Sequence, residues 1–497
     1  SCCKTTTKSD SNHCLSLVTA WQCLPDDLVT ISLLLCVVLK LKMWANWSYL
    51  VCLGFIPAIT AQLWIQPQQV HLSYSDDPSQ MVVTWVTEVE NNDSLVEYGS
   101  SFQQLTAAVK GNVTKFRHTP SSAHYSWIHT AVMVGLKPSA RYYYHVGGLS
   151  GWSSVFSFVA KPLDSTWSPT IAVYGDMGNV NGQAISYLQK EAQKGGFDFV
   201  LHIGDFAYDL FDNDGYVGDA FMRQIEPIAA YVPYMTCPGN HEAKYNFSQY
   251  KRRFTMPGGD DMLFRMVAGK AQVISISTEV FYEQPVEEMK TQYMRLKKML
   301  KEANDVRQKY PWLIVIGHRP MYCSNNDGYQ EHCNNPWNPV RVGTDPHTRT
   351  YSLEDLFYEA GVDLQFYAHE HSYERDFPVY NAVVCNGTEG AYIDPQAPVH
   401  ITSGSAGDQE GQTTFDPIVY PWTASYTDDY GYTKIKIINS THLHLEQISS
   451  NRHGAVIDDM MLVNHNHGPG NFNCHKQKSH GWPRSHKNRN DINVRIL

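Results

Sequence analysis

The sequence has 497 residues, too many for one ordinary hydrophobic core, so at least two domains are expected. Only 18% of residues are charged while 12% are aromatic, a balance that excludes a largely disordered chain. The formal net charge of −10, with no long basic run before the extreme C-terminus, argues against nucleic acid or an anionic membrane surface as the main partner.

Residues 1–42 contain no Met and show neither helical nor strand periodicity; they read as upstream or non-native sequence. Met43 is the first Met, and the apolar run 49–61 has the length of a signal-peptide core followed by small residues. Residues 43–61 are therefore expected to be a signal peptide, and the protein to be secreted, extracellular or lysosomal. That run and the earlier one at 29–39 both fall short of the ~20 apolar residues a span needs, so no stable membrane span is expected.

Of 11 Cys, six precede residue 62, leaving Cys237, Cys323, Cys333, Cys385 and Cys474. An odd number leaves at least one thiol free or paired outside the chain. Cys323 and Cys333 bracket a polar loop and are the best disulfide candidate, the alternative being two free thiols. Five N-x-[ST] triplets follow the expected signal peptide, at Asn92, Asn112, Asn246, Asn386 and Asn439, and are glycosylation candidates that fit an oxidising, secretory setting.

From 63 to 162 the pattern is all-β, with runs such as QVHLSYS and MVVTWVT separated by Asp, Asn, Ser and Gly. The stretch LKPSARYYYHV alternates with period two through Tyr142, Tyr144 and Val146, as in the corner tyrosine of fibronectin-like and immunoglobulin-like sandwiches. No cluster of titratable residues marks this domain, so a structural or positioning role is expected. From 169 to 463 the rhythm becomes strand, helix, strand. Strands are expected at 171–174, 197–203, 311–316, 362–368, 399–402, 432–438 and 442–447, and helices at 183–193, 220–229 and 287–304. The last helix has Met289, Tyr293, Leu296 and Leu300 on one face. Residues 464–497, rich in His, Asn, Lys and Gly, read as a disordered tail, although five histidines there could suggest metal binding.

Five apolar runs stop at a polar group able to hold a metal. They are IAVYGDMGN (Asp176), VLHIGDFAYD (Asp205, Tyr208), YMTCPGNHE (Asn240, His241), WLIVIGHRP (His318) and LQFYAHEH (His369, His371). Any one alone could be a strand ending in a capped turn. Ligands of open α/β sheets bind outside the carboxyl ends of strands, where all five lie. With Asp205 shared, the groups divide into Asp176, Asp205, Tyr208 and His371, and Asp205, Asn240, His318 and His369. The first set is hard and anionic and favours trivalent Fe; the second suits Zn, Fe(II) or Mn. His202 points away from Asp205 by alternation and reads as a packed core histidine.

The ordered blocks GDMG, GDFAY, GNHE, VIGH and AHEH resemble the purple acid phosphatases, within the calcineurin-like metallophosphoesterases, over residues 66–463. The resemblance implies a layered αββα metallophosphoesterase sandwich preceded by an all-β fibronectin/immunoglobulin-like sandwich domain. It also implies an acid phosphatase hydrolysing small phosphate monoesters by in-line attack of a metal-bound hydroxide at a binuclear Fe(III)–M(II) centre. His241 would then stabilise the phosphoryl oxygens or protonate the leaving group, or else only support a ligand. The wider superfamily has a His two residues after the first Asp, where this chain has Gly178 and uses Tyr208 instead. Ala368 stands where the family commonly has Gly, and the loop around Asp327 lacks the paired His of plant members. A phosphodiesterase or nucleotide pyrophosphatase at the same centre, and a non-catalytic cell-surface binding protein, are the competing readings. Oligomeric state is not legible in the sequence.

Overall fold

The computed structural model describes residues 66–474 except 283, 326–332 and 418–419. The expected upstream segment, the signal peptide and the loop around Asp327 lie outside the described residues.

The first domain is a β-sandwich. One sheet orders the strands Gln68–Tyr74, Met81–Thr87, Tyr125–Met133 and Asn112–Arg117; the other orders Ala107–Lys110, Leu95–Gly99, Arg141–Gly148 and Gly151–Trp152, with Phe156–Val159 also on Arg141–Gly148. Alternation decides what enters the core. Tyr142, Tyr144 and Val146 are buried while Tyr143 and His145 between them are partly exposed. The Tyr142 hydroxyl accepts the Lys137 amide hydrogen at 3.0 Å, closing the corner expected from LKPSARYYYHV.

Two mixed sheets follow, packed face to face. The first has the order Tyr234–Cys237, Phe199–Ile203, Thr170–Tyr174, Gly431–Ile437, His442–Ser449, Ala455–Val463. The second runs Leu263–Ala268, Ala271–Ile276, Trp312–Ile316, Leu364–Tyr367, Val399–Ser403, Tyr373–Asp376, Thr423–Thr427. Strand Trp312–Ile316 shows why continuous apolar runs build this arrangement. Trp312, Ile314 and Ile316 join the core between the sheets, whereas Leu313 and Val315 join a second core beneath the helices Val286–Asp305 and Leu353–Ala360. Helix Val286–Asp305 buries Met289, Leu296 and Leu300, with Tyr293 partly buried beside them. Thr170–Tyr174, Phe199–Ile203 and Tyr234–Cys237 are parallel, as are Ala271–Ile276, Trp312–Ile316, Leu364–Tyr367 and Val399–Ser403. Their carboxyl ends open on one crevice.

The helix expected at 220–229 begins earlier, as Tyr216–Ala229, because Gly215 in a left-handed conformation starts it. The expectation of a disordered tail from 464 is corrected for residues 464–474. Asn464 and His467 bond the buried Asp363 carboxylate at 2.8 and 2.9 Å, and Cys474 forms a disulfide with Cys385. Composition misled there because the anchors are single polar contacts to distant strands. The second disulfide is Cys323–Cys333, and Cys237 is a buried free thiol. Of the sequon asparagines, Asn92, Asn112, Asn246 and Asn439 are exposed, while half-buried Asn386 donates its amide hydrogens to the carbonyls of Ala391 and Ile393. No helix among the described residues is long and apolar enough to cross a membrane.

Candidate metal centre

Four of the parallel strands deliver a polar group two residues past their ends. Asp176 follows strand Thr170–Tyr174, Asp205 follows Phe199–Ile203, His318 follows Trp312–Ile316, and His369 follows Leu364–Tyr367. Asp176, Asp205, Ala207, Tyr208 and His369 all have left-handed backbones, with φ between 52° and 70°. For residues bearing a Cβ such conformations cost about 1–3 kcal/mol each, and they concentrate where function demands them. Glycines admit the close approach: a Cβ on Gly239 would overlap the Asp205 carboxylate, and one on Gly204 would overlap the His318 ring.

The side chains form two adjoining groups. In the first, the Tyr208 hydroxyl lies 3.2 Å from Asp176 Oδ1 and 3.0 Å from His371 Nε2, and those two are 3.7 Å apart. In the second, His318 Nε2 lies 3.1 Å from both Asp205 Oδ2 and Asn240 Oδ1. One ring nitrogen of His369 comes within 4.8 Å of the Asp205 and His318 donors. Donors on one ion, at about 2.0–2.2 Å from it, sit roughly 3.0–3.4 Å apart, so these spacings leave room for a cation in each group.

Electrostatics point the same way. Burial pushes the Asp176 carboxyl up to about 7, with the Asp205 and Asp408 charges adding to it. Burial and Asp176 also hold the Tyr208 phenol well above its ordinary range. Burial disfavours a charged His318 ring, yet Asp205 outweighs it and lifts the imidazole to about 9. Asp205 is itself held below the usual carboxylate range: burial opposes this, but His318 and His241 prevail. His369 is pushed down by burial and then by the Arg319 guanidinium, whose Nη1 is 3.2 Å from His369 Nε2.

The orienting contacts were not visible in the motifs. His318 Nδ1 donates to the Ile203 carbonyl at 3.0 Å, which turns Nε2 toward Asp205. His371 Nδ1 lies 2.7 Å from the Gly411 carbonyl and 3.2 Å from Asp408 Oδ2, while its backbone N–H donates to Thr413 Oγ1 at 2.9 Å. Loop 404–413 therefore wraps His371. The same loop fills the space at Gly178, where a Cβ would lie 2.9 Å from Asp408 Cα. Glu242 was missed as well: its carboxylate accepts the amide hydrogens of Asp205, Phe206 and Gly239 at 2.9, 3.0 and 2.8 Å. It clamps the Asp205 turn to the Asn240 turn. The motif GNHE held that signal, since a Glu three residues past a glycine can return to the backbone. Ala368 donates its N–H to the His318 carbonyl at 2.8 Å, and its methyl occupies the space a Cβ on Gly175 would need.

His241 stands at the edge. Its Nδ1 lies 2.5 Å from Asp209 Oδ1, and its Nε2 is 3.9 Å from Asp205 Oδ2 and 3.7 Å from Glu410 Oε1. Burial opposes its charge, but Asp205 and Asp209 raise it to about 10. A cavity of about 430 Å³ opens beside it, lined by Asp209, Phe211, Asn240, His241, Ala243, Lys244 and Tyr245. His202 is fully buried, with Nδ1 2.7 Å from the Tyr234 hydroxyl, consistent with a packed core histidine.

Helix-flanked paired sheets with acids, an amide and imidazoles at the strand ends define the calcineurin-like phosphoesterase class, whose family model matches residues 169–373. Residues 67–160 match the model described as purple acid phosphatase, N-terminal domain, and 397–459 the one described as iron/zinc purple acid phosphatase-like protein C. The chain is 47% identical over 413 residues to acid phosphatase type 7 of Danio rerio, spanning 81% of this chain and 93% of that one. To the Homo sapiens protein of the same name it is 44% identical over 402 residues, spanning 80% and 91%. A purple acid phosphatase from yellow lupin seeds has a similar structure, with a TM-score of 0.69 at 25% identity, over 80% of this chain and 74% of that one. The chain belongs to the purple acid phosphatase family.

Proposed function

We propose that this chain hydrolyses phosphate monoesters at a two-metal centre, in an oxidising compartment. The observation that carries the reading is the convergence of Asp176, Tyr208 and His371 on one point and of Asp205, Asn240 and His318 on another beside it. Asp176, Asp205, Tyr208 and His371 would hold a trivalent iron, and Asp205, Asn240, His318 and His369 a zinc, ferrous or manganous ion. Binding an ion through the His369 ring costs its hydrogen bond from Arg319, since an imidazole coordinated at either nitrogen no longer accepts at Nε2. Such ions would supply Lewis acidity toward the phosphoryl group and an activated nucleophile. Secretion is supported by the two disulfides and the exposed sequons.

The chain's own residues handle the rest of the chemistry. Asp209 takes the Nδ1 proton of His241 as a hydrogen bond, so in the charged ring the Nε2 proton faces the crevice. From there it can bond a phosphoryl oxygen or pass to the departing oxygen. The adjoining cavity receives the alcohol portion of the ester against the Phe211 and Tyr245 rings that line it. Hydrolysis of mono- and diester substrates by metal-replete protein, with Asp205→Ala as control, tests the reading. Monoester turnover that disappears in the variant is expected; preferential diester turnover, or equal rates in both proteins, would reject it.

A further inference from the structure

The β-sandwich meets the catalytic domain through a polar hub. His118 and His124, at the turn joining strands Asn112–Arg117 and Tyr125–Met133, converge with Asp219 as a possible three-ligand cluster. A cation is already there. Arg253 Nη1 lies 2.8 Å from Asp219 Oδ1, and Nη2 lies 3.1 Å from His118 Nδ1 and 3.2 Å from the Gly215 carbonyl. The cluster is a hydrogen-bonding hub, and what it grips is loop 209–215. His124 Nδ1 donates to the Asp214 carbonyl at 3.0 Å, and the Thr119 hydroxyl to Asp214 Oδ1 at 3.2 Å. The His118 ring stacks on His124, and His124 on Tyr216, at centroid distances of 4.1 Å each. A Cβ on Gly215 would overlap the His118 ring, so turn and loop touch without a gap.

Within the loop, the Gly215 amide donates to the Phe211 carbonyl at 3.0 Å and the Asp212 amide to the Asp209 carbonyl at 3.1 Å. A shift at Asp214 is therefore passed on to Asp209. Asp209 bonds His241, and Phe211 lines the cavity.

We propose that the 118–124 turn of the β-sandwich is a positioning element of the catalytic site, setting the His241 ring through loop 209–215 and Asp209. This rests on the reading of His241 as proton donor to the leaving group. His124 is a positioning residue: it touches neither substrate nor metal ligand.

The test uses the full chain, metal-replete, on an alkyl phosphate, whose leaving alkoxide needs a proton, and on nitrophenyl phosphate, whose leaving phenolate needs none. His124→Leu lowers kcat on the alkyl ester about tenfold with KM little changed, and on the nitrophenyl ester less than about twofold. His124→Asn places an amide N–H where Nδ1 stood and restores the alkyl rate to within about threefold. Thr119→Val, a milder change, gives the same selectivity at smaller amplitude. Equal losses on both esters, no loss on either, or failure of the Asn variant to restore the rate would overturn the positioning role. His241→Ala separates this from the underlying reading. A selective loss there with none in the His124 and Thr119 variants overturns only the positioning role, whereas equal losses there overturn the proton-donor reading and the proposal with it.

Discussion

Arg253→Leu is the sharpest test of how the two domains are joined. The guanidinium and the Asp219 carboxylate are both buried, with side-chain exposures of 2% and 1%. Besides Asp219, Arg253 donates to Gln249 Oε1 at 3.0 Å, to His118 Nδ1 and to the Gly215 carbonyl. Removing one partner of a buried pair typically costs about 3–5 kcal/mol, because the remaining charge keeps its desolvation cost without its compensation. In a chain of this size that is roughly a 3–6 °C fall in Tm. The pH dependence identifies the cause. In the native protein burial raises the Asp219 carboxyl, but Arg253 and His118 outweigh it and hold it below the usual carboxylate range. Without Arg253 burial prevails, the carboxyl titrates above its ordinary value, and stability returns as pH falls and the acid is neutralised. Urea unfolding at pH 7.5 and pH 5 should therefore show a smaller loss at pH 5, and Arg253→Leu with Asp219→Asn should recover part of the loss at pH 7.5. A loss below about 1 kcal/mol at pH 7.5, or one that grows on acidification, would refute the reasoning.

Two further predictions concern stability. Cys385–Cys474 closes a sequence separation of 89 residues, and in the chain-entropy model a loop of that length is worth about 4.6 kcal/mol, with typical values of about 2–4. Replacing both cysteines with Ser should lower the unfolding midpoint and loosen residues 464–474, detected as faster amide exchange there; unchanged stability would contradict it. The metal-free protein should lose stability as pH rises above about 7. Asp176 and Glu242 are raised by burial to about 7 and about 8, so their contribution is full below about 4 and lost as pH rises through those values. His318 and His241, raised to about 9 and about 10 by Asp205 against burial, contribute fully below about 6.5 and lose it as pH rises through 9 and 10. Asp205 runs the other way, losing its contribution only at acid extremes. Buried histidines such as His118, His202, His369 and His400, lowered by burial, oppose this slope below about 6.5 but are neutral in both states above it. Melting curves of chelator-treated protein should therefore fall from pH 7 to pH 9 and flatten when metals are restored, because metal replaces the protons on Asp176 and His318. A midpoint that rises between pH 7 and pH 9 in the metal-free protein would contradict the assignment.

The strand-end groups were legible because each is local: an apolar run, a small residue, then a polar side chain. Parallel pairing brings Asp176, Asp205, Asn240, His318 and His369 to one rim, so reading each strand's end placed each group. What orients them was not legible, because it comes from other parts of the chain. Glu242 reaches back to the Asp205 turn, Asp408 and Gly411 reach His371 from a loop without periodicity, and His124 reaches Asp214 from the other domain. Asp209 lay within a motif, beside Tyr208, yet nothing in the spacing tied it to His241. The tail shows the opposite failure. Its polar composition suggested disorder, but Asn464, His467 and Cys474 anchor its first part to Asp363 and Cys385.

The central claim is that seven side chains hold two neighbouring ions with Asp205 common to both. Elemental analysis after equilibration with iron and zinc, followed by removal of free metal, tests it without recourse to activity. The wild-type chain should retain two ions, and a folded Asp205→Asn variant fewer than one. A wild-type chain that keeps one ion or none, or a variant that keeps two, would contradict the account.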